Sequence, residues 1–200
     1  DGLKPGLDGN QLLEFIPQLN NMCDIDVKSV FSIDSTNVYY KHWLILAEVI
    51  KEEYDNYDGF VICHGTDTLS YTASALSYLI QNSKKPIVLT GAQRPINLDI
   101  SDAKTNLLDS FTYACEDNSK GVVLIFSGNV ILGTRARKIR TKSFDAFVTP
   151  LNESKSKLKL KWPLLLRRST NFFVGEYFLV YLNSNVLFIG ELFVAPVLRG

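Results

Sequence analysis

Five consecutive residues, His64-Gly65-Thr66-Asp67-Thr68, place a hydroxyl, a carboxylate and backbone N–H groups within one turn. Thr66 can present its hydroxyl together with a backbone N–H, and Asp67 can receive an ammonium. Gly65 lets the backbone approach a ligand closely, and the helix that follows adds outward-pointing N–H groups. Two more polar stretches, Asp34-Ser35-Thr36-Asn37 and Gly91-Ala92-Gln93-Arg94-Pro95, carry comparable groups. The plain alternative for the first two stretches is helix capping, by Asp67 or Thr68 in one and within residues 34–37 in the other. Capping and ligand binding are compatible.

These turns need elements to hold them. Residues 60–63 form a short apolar run introduced by Asp58-Gly59 and read as a buried strand. Leu69, Ala73, Leu76, Leu79 and Ile80 then recur at helical spacing. The string 64–68 therefore sits at the carboxyl end of a strand, where open parallel sheets bind ligands. The same arrangement recurs: residues 25–33 alternate as a strand before Asp34, and residues 86–90 form one before Gly91. Leu12, Leu13, Phe15, Ile16 and Leu19 suggest a short helix, either broken or started by Pro17. Residues 40–54 predict a helix with Trp43, Leu44, Ala47 and Ile50 on one stripe. Asp99 or Ser101 caps another, lined by Ala103, Leu107, Phe111, Ala114 and Cys115. Residues 122–126 and 130–132 add strands. The alternation predicts an α/β fold, a mostly parallel flavodoxin- or Rossmann-like sheet with helices on both faces.

The pattern changes after Pro150. Lys155, Lys157, Lys159 and Lys161 alternate with Ser156, Leu158, Leu160 and Trp162, an amphipathic strand whose lysine face protects a sheet edge. Residues 172–180 and 186–189 read as further strands or buried helix. The expected organisation is an α/β domain over 1–150, then a linker and the incomplete start of a smaller second α/β domain over 151–200.

An apolar fraction of 46% and a charged fraction of 21% fit a globular protein. Cys23, Cys63 and Cys115 show no paired spacing, so neither a disulfide framework nor a zinc site is indicated. No apolar run reaches the length of a membrane span, and no phosphate-binding glycine motif is present. Zero net charge hides an asymmetry: residues 133–168 hold 11 Lys and Arg against Asp145 and Glu153.

Taken together, these motifs resemble the bacterial-type L-asparaginases, in their type I, cytosolic-like branch, over residues 24–150. A family active-site motif reads His-Gly-Thr-Asp-Thr followed by an apolar residue, here Leu69. Asp34-Ser35-Thr36-Asn37, Thr90-Gly91-Ala92-Gln93-Arg94-Pro95 and a lysine, Lys138, ahead of Phe144-Asp145-Ala146-Phe147 fall in the family's order. The resemblance implies hydrolysis of L-asparagine to L-aspartate and ammonia by threonine-nucleophile acyl transfer, with no metal or organic cofactor. Such chemistry needs a nucleophile, a base and oxyanion donors. The resemblance implies that Thr66, Asp67 and Lys138 form a hydrogen-bonded catalytic triad. It further implies that Asp67 holds the substrate's α-ammonium and Ser35 its α-carboxylate. Thr36 and Gly65 would line the substrate site, and the Ala92 carbonyl would lie near the leaving amide. The implied protein is cytoplasmic and assembles as a homodimer or homotetramer, with a small-molecule substrate and neither membrane nor nucleic acid as partner.

One departure stands out. The family's principal nucleophile lies in a Thr-Gly-Gly-Thr motif after the first strand, with a partner tyrosine on the following loop. No Thr-Gly-Gly-Thr occurs in the 200 residues, and the first tyrosine is Tyr39. The expectation is a chain inactive alone, either a fragment or mis-delimited product of an active parent or a decayed enzyme. A missing strand would also leave backbone groups unpaired. Two rival readings remain: the amidase subunit of a tRNA-dependent amidotransferase, touching tRNA through residues 135–140, and a non-catalytic binding or interaction module.

Overall fold

The computed structural model describes residues 9–149, 158–159 and 185–190. Its strands are β1 (Asp24–Ser29), β2 (Gly59–Cys63), β3 (Pro86–Thr90), β4 (Gly121–Phe126), β5 (Asn129–Leu132), β6 (Arg137–Lys138), β7 (Phe147–Val148), β8 (Leu158–Lys159) and β9 (Asn185–Gly190). The α-helices are α1 (Gly9–Glu14), α2 (Tyr40–Glu53), α3 (Leu69–Leu79) and α4 (Ala103–Ala114). Seven strands form one sheet in the order β1-β9-β2-β3-β4-β5-β8, parallel from β1 to β4 and antiparallel for β5 and β8. The expected mostly parallel α/β architecture is what forms.

Alternation along the central strands explains why they read as unbroken apolar runs. Phe60, Ile62, Ile87, Leu89, Val122, Leu124 and Phe126 point to one face and pack with Leu46, Ile50, Leu69, Ala73 and Leu76 from α2 and α3. Val61, Val88, Val123 and Ile125 point to the other, against Leu107, Phe111 and Ala114 of α4 and against Ile16 and Leu19. A sheet buried on both faces has no polar side to show.

Several boundaries differ from the sequence reading. Strand β1 ends at Ser29 rather than Ile33, where its register with β9 ends at Ser29–Gly190. On α2 the buried positions are Leu46 and Ile50, and Leu44 faces outward. Leu79, at the end of α3, is also exposed. The β4–β5 connection is a two-residue hairpin, with Ser127 and Gly128 both at positive φ (51° and 69°). That is the backbone of a type I′ turn, whose twist suits paired strands.

Strand β9 belongs to the segment placed beyond the Pro150 boundary, yet it lies inside this sheet, so the sheet is not confined to residues 1–150. It pairs parallel with β1 on one side and with β2 on the other. The backbone groups expected to lack partners there are therefore paired, which removes a large desolvation cost. Of the lysine-faced strand, only Leu158–Lys159 is described, as an edge strand on β5. The segments at 1–8 and 172–180 lie outside the described residues. No helix among the described residues is long and apolar enough to cross a membrane.

Candidate active site

The carboxyl ends of β2 and β3 carry the two central turns, and the backbone joins them. His64 N–H donates to the Thr90 carbonyl at 2.8 Å, carrying the parallel pairing one step past the strands. Gly91 follows at a point where a Cβ would lie 2.2 Å from the His64 carbonyl oxygen. Only glycine permits that approach.

The turn after β2 is stiffened from below by His64. Its ring is buried and donates from Nδ1 to the Gly65 carbonyl at 2.7 Å. Nε2 accepts from the Thr72 hydroxyl at 2.8 Å, and Thr72 Oγ1 in turn accepts from Trp43 Nε1–H at 2.9 Å. The directions follow from the Gly65 carbonyl, which can only accept and so puts the proton of the neutral ring on Nδ1, and from the indole, which can only donate. Burial lowers the His64 pKa to about 4, against the opposing pull of the Gly65 carbonyl. The imidazole is therefore neutral at pH 7 and acts as a brace between α2, α3 and the turn.

Above this brace stand Thr66 and Asp67. Lys138 Nζ donates to Thr66 Oγ1 at 2.9 Å and to Asp67 Oδ1 at 2.7 Å. The lysine and aspartate side chains are 14% and 32% exposed, so the pair is shielded but reachable. Lys138 arrives on the β6–β7 ribbon, in register with Phe147. The ribbon is anchored by buried Ala146 and by Phe147, whose ring sits 4.8 Å from that of Phe126. This gives the Phe144-Asp145-Ala146-Phe147 stretch a physical role: it pins the strand that delivers the lysine. Arg140 and Ser143 both bond the Asp145 side chain and tighten the ribbon's loop.

The turn after β1 also reaches this edge. Thr68 is the N-cap position of α3 but makes no side-chain cap; its hydroxyl instead donates to the Ser35 carbonyl at 2.7 Å. Ser35 is fully buried, and its Oγ has no hydrogen-bond partner. Thr36 is turned away: its N–H and hydroxyl both donate to Asp34 Oδ1, at 2.8 and 2.9 Å. Asp34 thus does cap the short 3-10 helix Ser35–Asn37.

Thr66, Asp67 and Lys138 are in direct contact, Gly65 directly precedes Thr66, Ser35 is tied to the same turn by the Thr68 hydroxyl, and Ala92 lies on the neighbouring turn. Thr36 is at the rim. Sequence reasoning missed Gln93, whose Oε1 accepts from Thr66 Oγ1 at 3.4 Å, a long contact. Its Nε2 donates to the Arg140 and Ser143 carbonyls, each at 3.3 Å. The long polar side chain beside Ala92, in a turn already singled out, was the available signal.

The family described as Asparaginase, N-terminal matches residues 1–164. L-asparaginase 1 of Escherichia coli is 43% identical over 118 residues, 59% of this chain and 35% of that protein. One subunit of the glutamyl-tRNA(Gln) amidotransferase of Methanococcus vannielii is 36% identical over 162 residues, 77% of this chain and 38% of that protein. Among solved structures, the thermostable L-asparaginase from Thermococcus kodakarensis superposes with a TM-score of 0.69 at 32% identity. That match covers 82% of this chain and 52% of the other. The chain thus spans about a third to a half of the length of these relatives.

Proposed function

The chain belongs to the asparaginase family, and from that premise we propose that the whole protein hydrolyses L-asparagine to L-aspartate and ammonia. The observation that carries the proposal is the position of Lys138 Nζ, bridging Thr66 Oγ1 and Asp67 Oδ1. In this reading the substrate's α-ammonium comes to Asp67 and competes with Lys138 for the same carboxylate. A lysine released from that ion pair is free to exchange a proton with the Thr66 hydroxyl 2.9 Å away. A threonine oxygen attacks the amide carbon and its proton passes by way of Lys138 to the amide nitrogen. The C–N bond breaks and ammonia leaves, and water then adds to the ester carbon and gives a proton back to the threonine oxygen. Aspartate departs and the threonine is restored. Thr66, Asp67 and Lys138 are the catalytic residues of this scheme.

Ser35 takes the substrate's α-carboxylate, supported by a buried hydroxyl with no partner, an uncommon arrangement that a ligand would resolve. Because Ser35 is fully buried, the 34–37 and 66–68 turns must part slightly for that contact. Gly65 lines the site, Thr36 stays at its rim bonded to Asp34, and the Ala92 carbonyl faces the leaving amide. The proposed setting is the cytoplasm, supported by three free cysteines. The proposed assembly is a homodimer or homotetramer, supported by exposed Tyr39, Tyr40, Leu44 and Ile45 around the start of α2.

Ammonia release from L-asparagine and L-glutamine by the whole protein tests the reading, with asparagine the better substrate. No release from either would refute it. The match to an amidotransferase favours a second reading, in which the same triad frees ammonia only when a charged tRNA is present. Adding aminoacylated tRNA to the assay separates the two.

A further inference from the structure

Two buried polar residues open α4 without serving the helix. Asp102 and Asn106 are 7% and 1% exposed. Asp102 is the N-cap position of α4, yet its carboxylate makes no cap bond. Ser101 does that work, accepting from Ala103 N–H at 3.1 Å while donating to the Arg94 carbonyl at 2.9 Å. The Asp102 carboxylate turns instead to the 91–94 turn. Both of its oxygens accept from Gln93 N–H at 3.0 Å, and Oδ1 also accepts from Arg94 N–H at 3.1 Å. Asn106 Nδ2 donates to the Gly91 carbonyl at 2.9 Å and to Asp102 Oδ2 at 3.2 Å. Asn106 Oδ1 accepts from Ser127 N–H at 2.9 Å.

Burying a carboxylate is costly unless hydrogen bonds replace its water. Here three N–H groups do so, two from the backbone of one turn. That turn carries Gln93, which reaches Thr66 on one side and the Arg140 and Ser143 carbonyls of the Lys138 ribbon on the other. Arg94 adds a second tie, its guanidinium 5.7 Å from the Phe144 ring centre. We propose that Asp102 and Asn106 are positioning residues of the amide-hydrolysing site. They fix the 91–94 turn and, through Gln93, the distance between Thr66 and the ribbon that carries Lys138. This proposal rests on the hydrolytic reading given above.

The test uses Asp102→Asn in the whole protein, which keeps the side-chain shape but replaces one acceptor with a donor. Phe111→Leu, about two and a half turns further along α4, is the control for a simple loss of stability. Asp102→Asn is expected to lower kcat for asparagine by about tenfold to a hundredfold, with KM little changed. It should also speed hydrogen exchange at the Gln93 and Arg94 amides. Phe111→Leu, compared at equal fractional folding, should leave kcat and those two amides near the parent values. Equal kcat losses in both variants would overturn the proposal, as would unchanged exchange in Asp102→Asn. Should Asp102→Asn fail to fold, Gln93→Met removes the same link from its half-buried end and must lower kcat comparably; an unaffected kcat refutes the link. A parent that releases no ammonia refutes the hydrolytic reading and the catalytic sense of the clamp, whereas the exchange rates judge the clamp itself.

Discussion

Acid should weaken this fold through one imidazole, and the size of the effect follows from its surroundings. His64 titrates near 6.5 in an unfolded chain and near 4 in the folded one, because burial disfavours the imidazolium. Protonation would also place a second donor against the Thr72 hydroxyl, which already accepts from Trp43. Between these two values the unfolded state binds more protons, so stability falls as pH drops through the window. The contribution is intact above pH 6.5, is reduced by about 2 kcal/mol at pH 5, and is lost by about 3 kcal/mol below pH 4. Glu53 and Asp145, whose pKa values are lowered chiefly by hydrogen bonds from Lys28 and Ser143, add their own losses only below the ordinary carboxylate range. The assay is urea unfolding at several values between pH 7 and pH 5, for the parent and for His64→Gln. The variant should be less stable at pH 7 yet almost flat across the window. A variant that loses stability with pH as steeply as the parent would refute the reasoning.

Other consequences are more direct. Asp67→Asn removes the carboxylate of a 2.7 Å ion pair and should cut kcat/KM for asparagine by about one to two decades while leaving the unfolding midpoint nearly unchanged. Turnover equal to the parent would exclude Asp67 from the site. Lys138→Met should lower kcat by about two decades or more with a smaller change in KM, as expected for a proton-transfer partner; a pure KM effect would assign Lys138 to binding alone. Gly91→Ala forces a Cβ to within 2.2 Å of the His64 carbonyl. Backbone lies against backbone there, so thermal unfolding should show a loss of about 1–3 kcal/mol or more; a silent substitution would mean the two turns are free to separate.

Much of this arrangement was legible because a strand buried on both faces writes a short apolar run, and the polar turns that end β2 and β3 stand out against it. Lys138 could be located only by resemblance, since its partners are about 70 residues away in sequence. What escaped depends on neighbours that periodicity does not see. Leu44 and Leu79 have the right spacing for burial but lie at the margins of their helices' packed faces. Asp102 drew no notice because an aspartate before a helix is ordinary, and its partners are backbone groups of another loop. Ser127-Gly128 is a weaker hairpin signal than Asn-Gly. Nothing local to residues 185–190 reveals that they pair between β1 and β2.

The placement of β9 has a kinetic meaning. Strands β2 and β3 meet across roughly 27 residues, Phe60 opposite Ile87, whereas β1 meets β9 across roughly 160, Asp24 opposite Asn185. Closing the longer loop costs about 1.6 kcal/mol more in chain entropy. That cost favours late assembly of the β1-β9-β2 part of the sheet, which cannot form on a ribosome until residue 190 has emerged. Until then β1 and β2 present facing edges to any other extended segment, including the same strands of another nascent chain.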